Sequence, residues 1–456
     1  MKRCVWLVPA VMMVALSIPA QEKPEFTISE PISLFAETNT KEAGLAVNTQ
    51  ENEVLFVTID TVAIVNDPIT GEPAQQAVVG FYYDPVTMTQ MGDPITIVGN
   101  PRGALQKLSI TYNPVSNRYF VAVAADEYSP SGARVPLMAI VNPYSVAKTA
   151  GPVFKAWNWD PETTQNYQDT AVAASTKNGN LMYVSEYSPA GESGEGVIGL
   201  LYDKDGNLLT PEMTRLDQLE PAEDEDDPDV YYLPENDVFL FITNIDPSTS
   251  ANRISCTIIQ PTPDANGKLQ QGNQQIVSEL RKEFDAGHPS AIENPYTGEF
   301  IGVLDYGNGA EGGDIFYFKI GPAPDYKLTQ SREQIPYLEA TGNVPYSQRH
   351  PRLALDTKNG VFVISHNARD GNFQGMVFTL LGPDGQILPG RPDDLYKLVE
   401  TSAAVSNDAN YHDVKYDPRS GSFLIIYSTG DGLTDVVKLT VLTSYLPTAV
   451  EEWPIF

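Results

Sequence analysis

A pattern that recurs seven times, four short strand-like runs inside each copy, and a spare strand at the opposite end of the chain together predict an all-β fold. That fold is a seven-bladed β-propeller of four-stranded antiparallel blades. The turn-opening residue of each copy marks the period, at Asn48, Asn113, Ser175, Leu233, Asn294, Asp356 and Asp417. The intervals are 65, 62, 58, 61, 62 and 61 residues, a long fixed period of the kind that stacked units produce.

The chain opens with Lys2 and Arg3, an apolar run from Val5 to Leu16, and the small-residue stretch Ser17-Ile18-Pro19-Ala20. This is the layout of a secretory signal over residues 1–20, so the mature chain is expected to be secreted, periplasmic or at the cell surface. The run is too short to anchor in a bilayer, and no later stretch approaches the roughly 20 apolar residues a span needs, which argues against membrane insertion. A single propeller domain is expected over residues 21–445, with blades near 42–98, 107–157, 169–218, 227–280, 288–338, 350–399 and 411–443. The seventh copy holds three strands and then stops. Phe26-Thr27-Ile28 through Ile32-Ser33-Leu34-Phe35, within residues 26–36, reads as its missing fourth, giving a 1+3 closure that leaves no exposed sheet edge. Residues 446–456 form a C-terminal tail that belongs to no blade, either a packing arm or the start of an attachment segment.

Inside each copy a short alternating run such as Ser290-Ala291-Ile292 leads through an Asn/Asp/Pro/Gly turn into an apolar run such as Phe300–Leu304, a hairpin signature. Third runs such as Ile315–Phe318 and fourth runs such as Ile276-Val277-Ser278 complete the blade. The frame resembles the repeats of secreted bacterial β-propellers, with their P-x-φ-x-Y-[DN]-P-x-[ST]-G-x-[FY]-φ-φ-φ pattern (φ apolar), seen from Pro289 to Val303 and less completely from His412 to Ile426. The resemblance covers nearly the whole mature chain. It implies architecture, since this fold hosts enzymes, lectins and scaffolds alike.

Composition narrows the partners. The chain carries 59 acidic and 29 basic residues, a formal net charge of −30, which disfavours nucleic acid and anionic surfaces. Once the signal is removed Cys256 is the sole cysteine, so no intrachain disulfide forms and the fold rests on core burial, as a monomer. Cys256 itself reads as a small core residue in an alternating strand.

The residue before the first inner run, taken across the seven copies, is Glu42, Lys107, Asp169, Asp227, His288, His350 and Tyr411. Every one is polar or ionisable. His412 follows directly, Arg352 lies two beyond His350, and second-strand ends add Glu186, Asp305 and His366, so all four histidines fall at one face. The column can be read as solvated turn residues, as hydrogen bonding across the channel mouth, or as a pocket. Read as a pocket, His288, His350, Tyr411, His412 and Arg352 are the catalytic candidates, with types suited to proton transfer near neutral pH. His288, His350, His412 and Asp227 are the metal candidates, and a divalent cation, calcium or zinc, is the one cofactor left open. Glu42, Lys107, Asp169, Asp227, Asp305 and His366 form the binding rim, joined by Trp157 and Trp159, which if exposed would stack on sugar and if packed are core.

Two local features have bland readings. Asp203-Lys204-Asp205-Gly206-Asn207 begins like a calcium loop but lacks an acidic closing ligand, so a hairpin turn is expected. The run Glu223–Asp229, six acids in seven residues, reads as a solvated loop with calcium capture as the minority view. The functional expectation is an exported recognition or scaffold module that binds an extracellular protein or glycan on the channel face. The alternative is a polysaccharide lyase, with Tyr411 or His350 as base and Arg352 and His288 neutralising a uronate carboxylate.

Overall fold

The computed structural model describes residues 24–34, 42–61, 73–100, 103–126, 134–147, 149–156, 166–188, 196–216, 223–247, 253–272, 275–279, 285–308, 312–322, 326–334, 347–369, 374–388, 396–400, 412–428 and 434–446. It is a seven-bladed β-propeller of antiparallel, mostly four-stranded sheets. The seven inner strands are Ala43–Asn48, Leu105–Asn113, Asn166–Ala174, Glu223–Leu233, Asp285–Glu293, Ser347–Asp356 and His412–Asp417, and each packs beside the next, with the last against the first. In the seventh sheet, Phe26–Ile28 pairs with Leu439–Val441 and Ile32–Leu34 with Thr434–Val436. The expected all-β character is interrupted once among the described residues, by the four-residue helix Tyr144–Ala147.

The core lies between blades rather than within any one. Among the described residues seven apolar clusters bridge neighbouring blades: one unites Leu55 and Val57 with Val121 and Val123 and extends to Ile198 of blade 3, another Leu240 and Ile242 with Phe300 and Leu304, and another Leu424 and Ile426 with Leu45 and Phe56. This explains why second and third strands such as Val135–Val141 are buried along their whole length: both faces of a blade meet another blade. Cys256 belongs to such an interface, where burial pushes its thiol up to about 12 and keeps it inert.

The marker residues do open the turns. Asn48, Asn113, Asp356 and Asp417 each accept the N–H groups two and three residues on through a side-chain oxygen, and Ser175 does so with its hydroxyl. Leu233 cannot. There the next blade substitutes, as Glu293 accepts the Glu235 N–H at 2.9 Å and the Asn236 side-chain amide. At the expected hairpin, Asp203 accepts the N–H groups of Asp205 and Asn207 at 2.9 and 2.8 Å with Gly206 at φ +86°, so its carboxylate is committed to its own turn. The acidic run is corrected: Glu223–Leu233 is an inner strand, paired from Glu223 opposite Pro247, and not a loop.

Candidate functional site

The ionisable column stands on a recurring β-bulge. In blade 2, Lys107 and Leu108 together oppose one residue between the Gln106–Ala124 and Ser109–Ala122 pairs. The same register shift falls across Asp227-Pro228, His288-Pro289 and His350-Pro351, and across Gln168-Asp169 in blade 3. Lys107, Asp227 and His350 adopt φ of +57°, +49° and +56°. Left-handed backbone favours Asp and His among residues with a Cβ, and a proline after the bulge forfeits no ladder N–H. Strand geometry therefore does constrain the residue types in this column, which the repeat pattern alone had not suggested.

Bulging frees backbone groups, and the adjacent blade satisfies them. Glu42 accepts the Leu108 N–H at 3.4 Å, Thr170 donates to the Lys107 carbonyl at 2.7 Å, and Tyr231 donates to the Pro289 carbonyl at 3.2 Å. Asp305 accepts the His350 N–H at 2.8 Å, His412 Nε2 meets the Ser365 carbonyl at 3.1 Å, and Asp413 accepts the Leu45 N–H at 3.2 Å across the seam between the last and first inner strands. Between blades 3 and 4 the Asn180 side-chain amide donates to the Pro261 carbonyl at 2.7 Å. Each neighbouring pair of blades thus has a polar fastener in addition to its apolar cluster.

At the axis these strands enclose a cavity of about 450 Å³. Its ionisable walls are Glu42, Lys107, Asp169, Asp227 and Asp229 on one side of the sequence and Arg352, His412, Asp413 and Lys415 on the other. Lys107 Nζ lies 2.7 Å from Asp169 and 3.7 Å from Asp227. Burial raises Asp169 to about 7 against the pull of Lys107, and Asp227 adds to the rise. Burial also raises Glu42 and Asp229, opposed by Lys107 and Arg352 respectively. Tyr231 donates to Asp229 at 2.5 Å and is held well above 10 by burial and by that carboxylate, so it is a poor base. Burial alone would lower Arg352, but Tyr231, Asp229, Asp413 and Asp227 outweigh it and keep the guanidinium charged. Lys415 pairs with Asp413 at 2.8 Å.

His412 is 2 % exposed. Its Nε2 lies 2.9 Å from Ser365 Oγ as well as 3.1 Å from the Ser365 carbonyl. A carbonyl only accepts, so Nε2 carries the proton and Nδ1 carries the lone pair. Among the described residues that Nδ1 has no hydrogen-bond partner. Burial and the nearby Arg352 depress the imidazole well below its usual range, so it stays a neutral acceptor.

The predicted site residues are thus divided. Glu42, Lys107, Asp169, Asp227, Arg352 and His412 come together around the cavity, whereas His350, His366 and Asp305 are buried outside its lining. His366 Nδ1 donates to the carbonyl of its own neighbour Asn367 at 3.1 Å, and burial pushes the ring down to about 4. Glu186 stands opposite the Asp169 bulge, also buried. Tyr411, Trp157 and Trp159 lie outside the described residues, as do residues 1–20 and 447–456, and of His288 only the backbone, in its strand, is described. Among the described residues no group of three or more His, Cys, Asp or Glu is placed to hold a metal ion. Asp229, Asp413 and Lys415 were missed, although they occupy the same alternate positions that pointed to Arg352.

Arg352, in the cavity wall, stays charged in the field of Asp229, Asp413 and Asp227.

No family model matches the chain, and no curated protein matches it. Among solved structures it is similar to Kuenenia stuttgartiensis hydrazine synthase, at TM-score 0.47 and 11% identity over 88% of this chain and 95% of that one. It is similar also to a Hadza microbial sialidase (TM-score 0.46, 10% identity, 84% and 74% covered) and to the Dos1 propeller (0.45, 9%, 91% and 95%). Likeness at this level concerns architecture only. Among the described residues no helix is long and apolar enough to cross a membrane.

Proposed function

We propose that this protein is a recognition module whose axial cavity takes the end of a hydroxyl-rich glycan. The observation that carries this reading is the axial cavity itself, whose wall of inner strands brings carboxylate, ammonium and guanidinium groups together with the buried imidazole of His412. The size fits: about 450 Å³ falls within the roughly 300–1,000 Å³ of small-ligand sites. The surroundings fit as well, because carboxylates, ammonium and guanidinium groups alternating around a ring give both donors and acceptors to vicinal hydroxyls. The described walls of the cavity are held by inter-blade fasteners, so little ordering entropy is spent in them on binding.

The test is a glycan array followed by calorimetry with the full chain. Binding of at least one neutral or amino saccharide is expected, and His412→Phe, which cannot accept a hydrogen bond, should weaken it about tenfold or more. Failure of every saccharide on the array, together with capture of a protein partner whose affinity His412→Phe leaves unchanged, would overturn the reading.

A further inference from the structure

We propose that the glycan end preferred by the axial cavity is a uronic acid residue, its carboxylate held by the guanidinium of Arg352 and an adjacent hydroxyl by the imidazole of His412. The inference rests on the glycan-binding reading and names the ligand class of the same cavity.

The first support is the state of Arg352, which lines the cavity and is only partly buried. Among the described residues its guanidinium makes one hydrogen bond, from Nη1 to the Pro351 carbonyl at 3.2 Å, and no ion pair. The other two cations of the wall are spent: Lys107 lies 2.7 Å from Asp169, and Lys415 lies 2.8 Å from Asp413. The acids whose field reaches Arg352 are committed as well. Asp229 accepts the Val230 N–H at 2.8 Å and the Tyr231 hydroxyl at 2.5 Å. Asp413 accepts the Leu45 and Val414 N–H groups at 3.2 and 2.8 Å, besides Lys415. A guanidinium offers a planar fork of N–H groups that matches the two oxygens of a carboxylate, and here most of that fork is open.

The second support is His412, on the neighbouring inner strand. Ser365 connects the two residues: it stands opposite Arg352 in the blade 6 ladder, and its hydroxyl lies 2.9 Å from His412 Nε2. With Nε2 turned to that second strand, Nδ1 keeps its lone pair, and among the described residues nothing donates to it. The wall therefore presents an open cationic fork and an open neutral acceptor. A uronic acid answers both, because its carboxylate and its 4-hydroxyl stand on adjacent ring carbons. In a 4-linked chain that hydroxyl is free only at the non-reducing end, which suits a cavity that takes the end of a glycan. The wall also holds five carboxyl groups, Glu42, Asp169, Asp227, Asp229 and Asp413, so a singly charged carboxylate suits it better than a doubly charged phosphate ester. Burial raises Glu42, Asp169 and Asp229, which softens their repulsion of one further carboxylate. No covalent bond forms or breaks.

The experiment is calorimetry on the full chain with the methyl glycosides of glucose and galactose, of the two matching uronates, and of the uncharged uronamides. At pH 7 at least one uronate is expected to bind about tenfold or more tightly than its neutral parent, and its amide should fall back to the parent's affinity. Methylation of the 4-hydroxyl should weaken that uronate several-fold, and His412→Phe should erase this difference. Arg352→Gln should bring the ratio of uronate to neutral affinity to about one, while Arg352→Lys, which keeps the charge without the fork, should leave an intermediate ratio. The comparison of acid with amide uses the wild-type chain and decides the matter even where a variant does not fold. Neutral sugars bound as tightly as both uronates, an amide as good as its acid, or a ratio unmoved in a folded Arg352→Gln would overturn this inference and leave glycan recognition standing. If no saccharide of any kind binds, uronates included, the glycan reading fails with it.

Discussion

Asp169 has a partly neutral carboxyl because burial outweighs an ammonium 2.7 Å away, and that balance leaves a thermodynamic trace. An unfolded aspartate titrates near 3.9, and in the fold this one titrates at about 7. A group raised in the folded state contributes stability that is fully present below its unfolded value and is lost as pH climbs through the folded one. The loss should therefore run from about pH 4 to about pH 7. Asp169→Asn has no proton to lose, so the difference in Tm between variant and wild type should shift in favour of the variant across that window. Above about pH 8 it should stay constant. A difference independent of pH would mean that Asp169 is ionised throughout. At this scale the sequence was informative about residue type and position but not about partners. That Lys107 would face Asp169 and Asp227 depends on three blades meeting, and repeat spacing says nothing of side-chain direction.

The hairpin turns and the bulges carry the lesson at the scale of elements. The repeat markers were legible because an Asx or Ser turn is a local device: side chain and backbone lie within three residues of each other. The substitute at Leu233 was not legible, since its acceptor, Glu293, comes from another blade. Glu293→Ala is expected to leave the Glu235 N–H and the Asn236 amide without that acceptor and to cost about 1–3 kcal/mol, read from the urea midpoint with an unchanged slope. Glu293→Gln, which keeps one carbonyl acceptor, should lose less. An alanine variant as stable as wild type would show that water replaces the carboxylate fully. The bulges were hidden for a related reason. Pairing two residues against one is decided by the partner strand, so the column looked merely polar, although φ near +50° at Lys107, Asp227 and His350 is part of why such residues are there. The acidic run was misread as a loop because six acids in seven residues suggest solvent. Only the ring places Asp227 and Asp229 at a cavity, where Lys107 and Arg352 offset them.

Over the whole molecule, seven apolar interfaces without a disulfide among the described residues must hold a chain of formal charge −30, and the weakest place in a ring is its seam. Two parts of the N-terminal segment bear on it differently. Phe26 packs edge-on against Phe378 and Tyr396 of blade 6, at ring centroid distances of 5.1 and 4.8 Å, while Leu34 is fully buried among Leu45, Phe56, Leu424 and Ile426, between blades 7 and 1. The strand thus reaches both neighbours of the blade on which it pairs. Deleting residues 25–35 would uncover the edge of Thr434–Val441 and strip Phe26, Ile28, Ile32 and Leu34 from two interfaces. At about 1.5–3 kcal/mol for a fully buried side chain and less for partly buried ones, the loss is on the order of 5 kcal/mol, comparable with the net stability of many folded domains. The bare edge would also offer unpaired N–H and C=O groups to a second chain. The deletion should therefore aggregate or fail to accumulate, whereas Phe26→Ala alone should remain soluble with a lowered Tm, since it thins one interface and leaves the ladder intact. A truncated chain that stays monomeric in sedimentation, with the wild-type Tm, would show that closure does not need the N-terminal strand and that the inter-blade clusters and the Asp413–Leu45 fastener suffice to hold the ring.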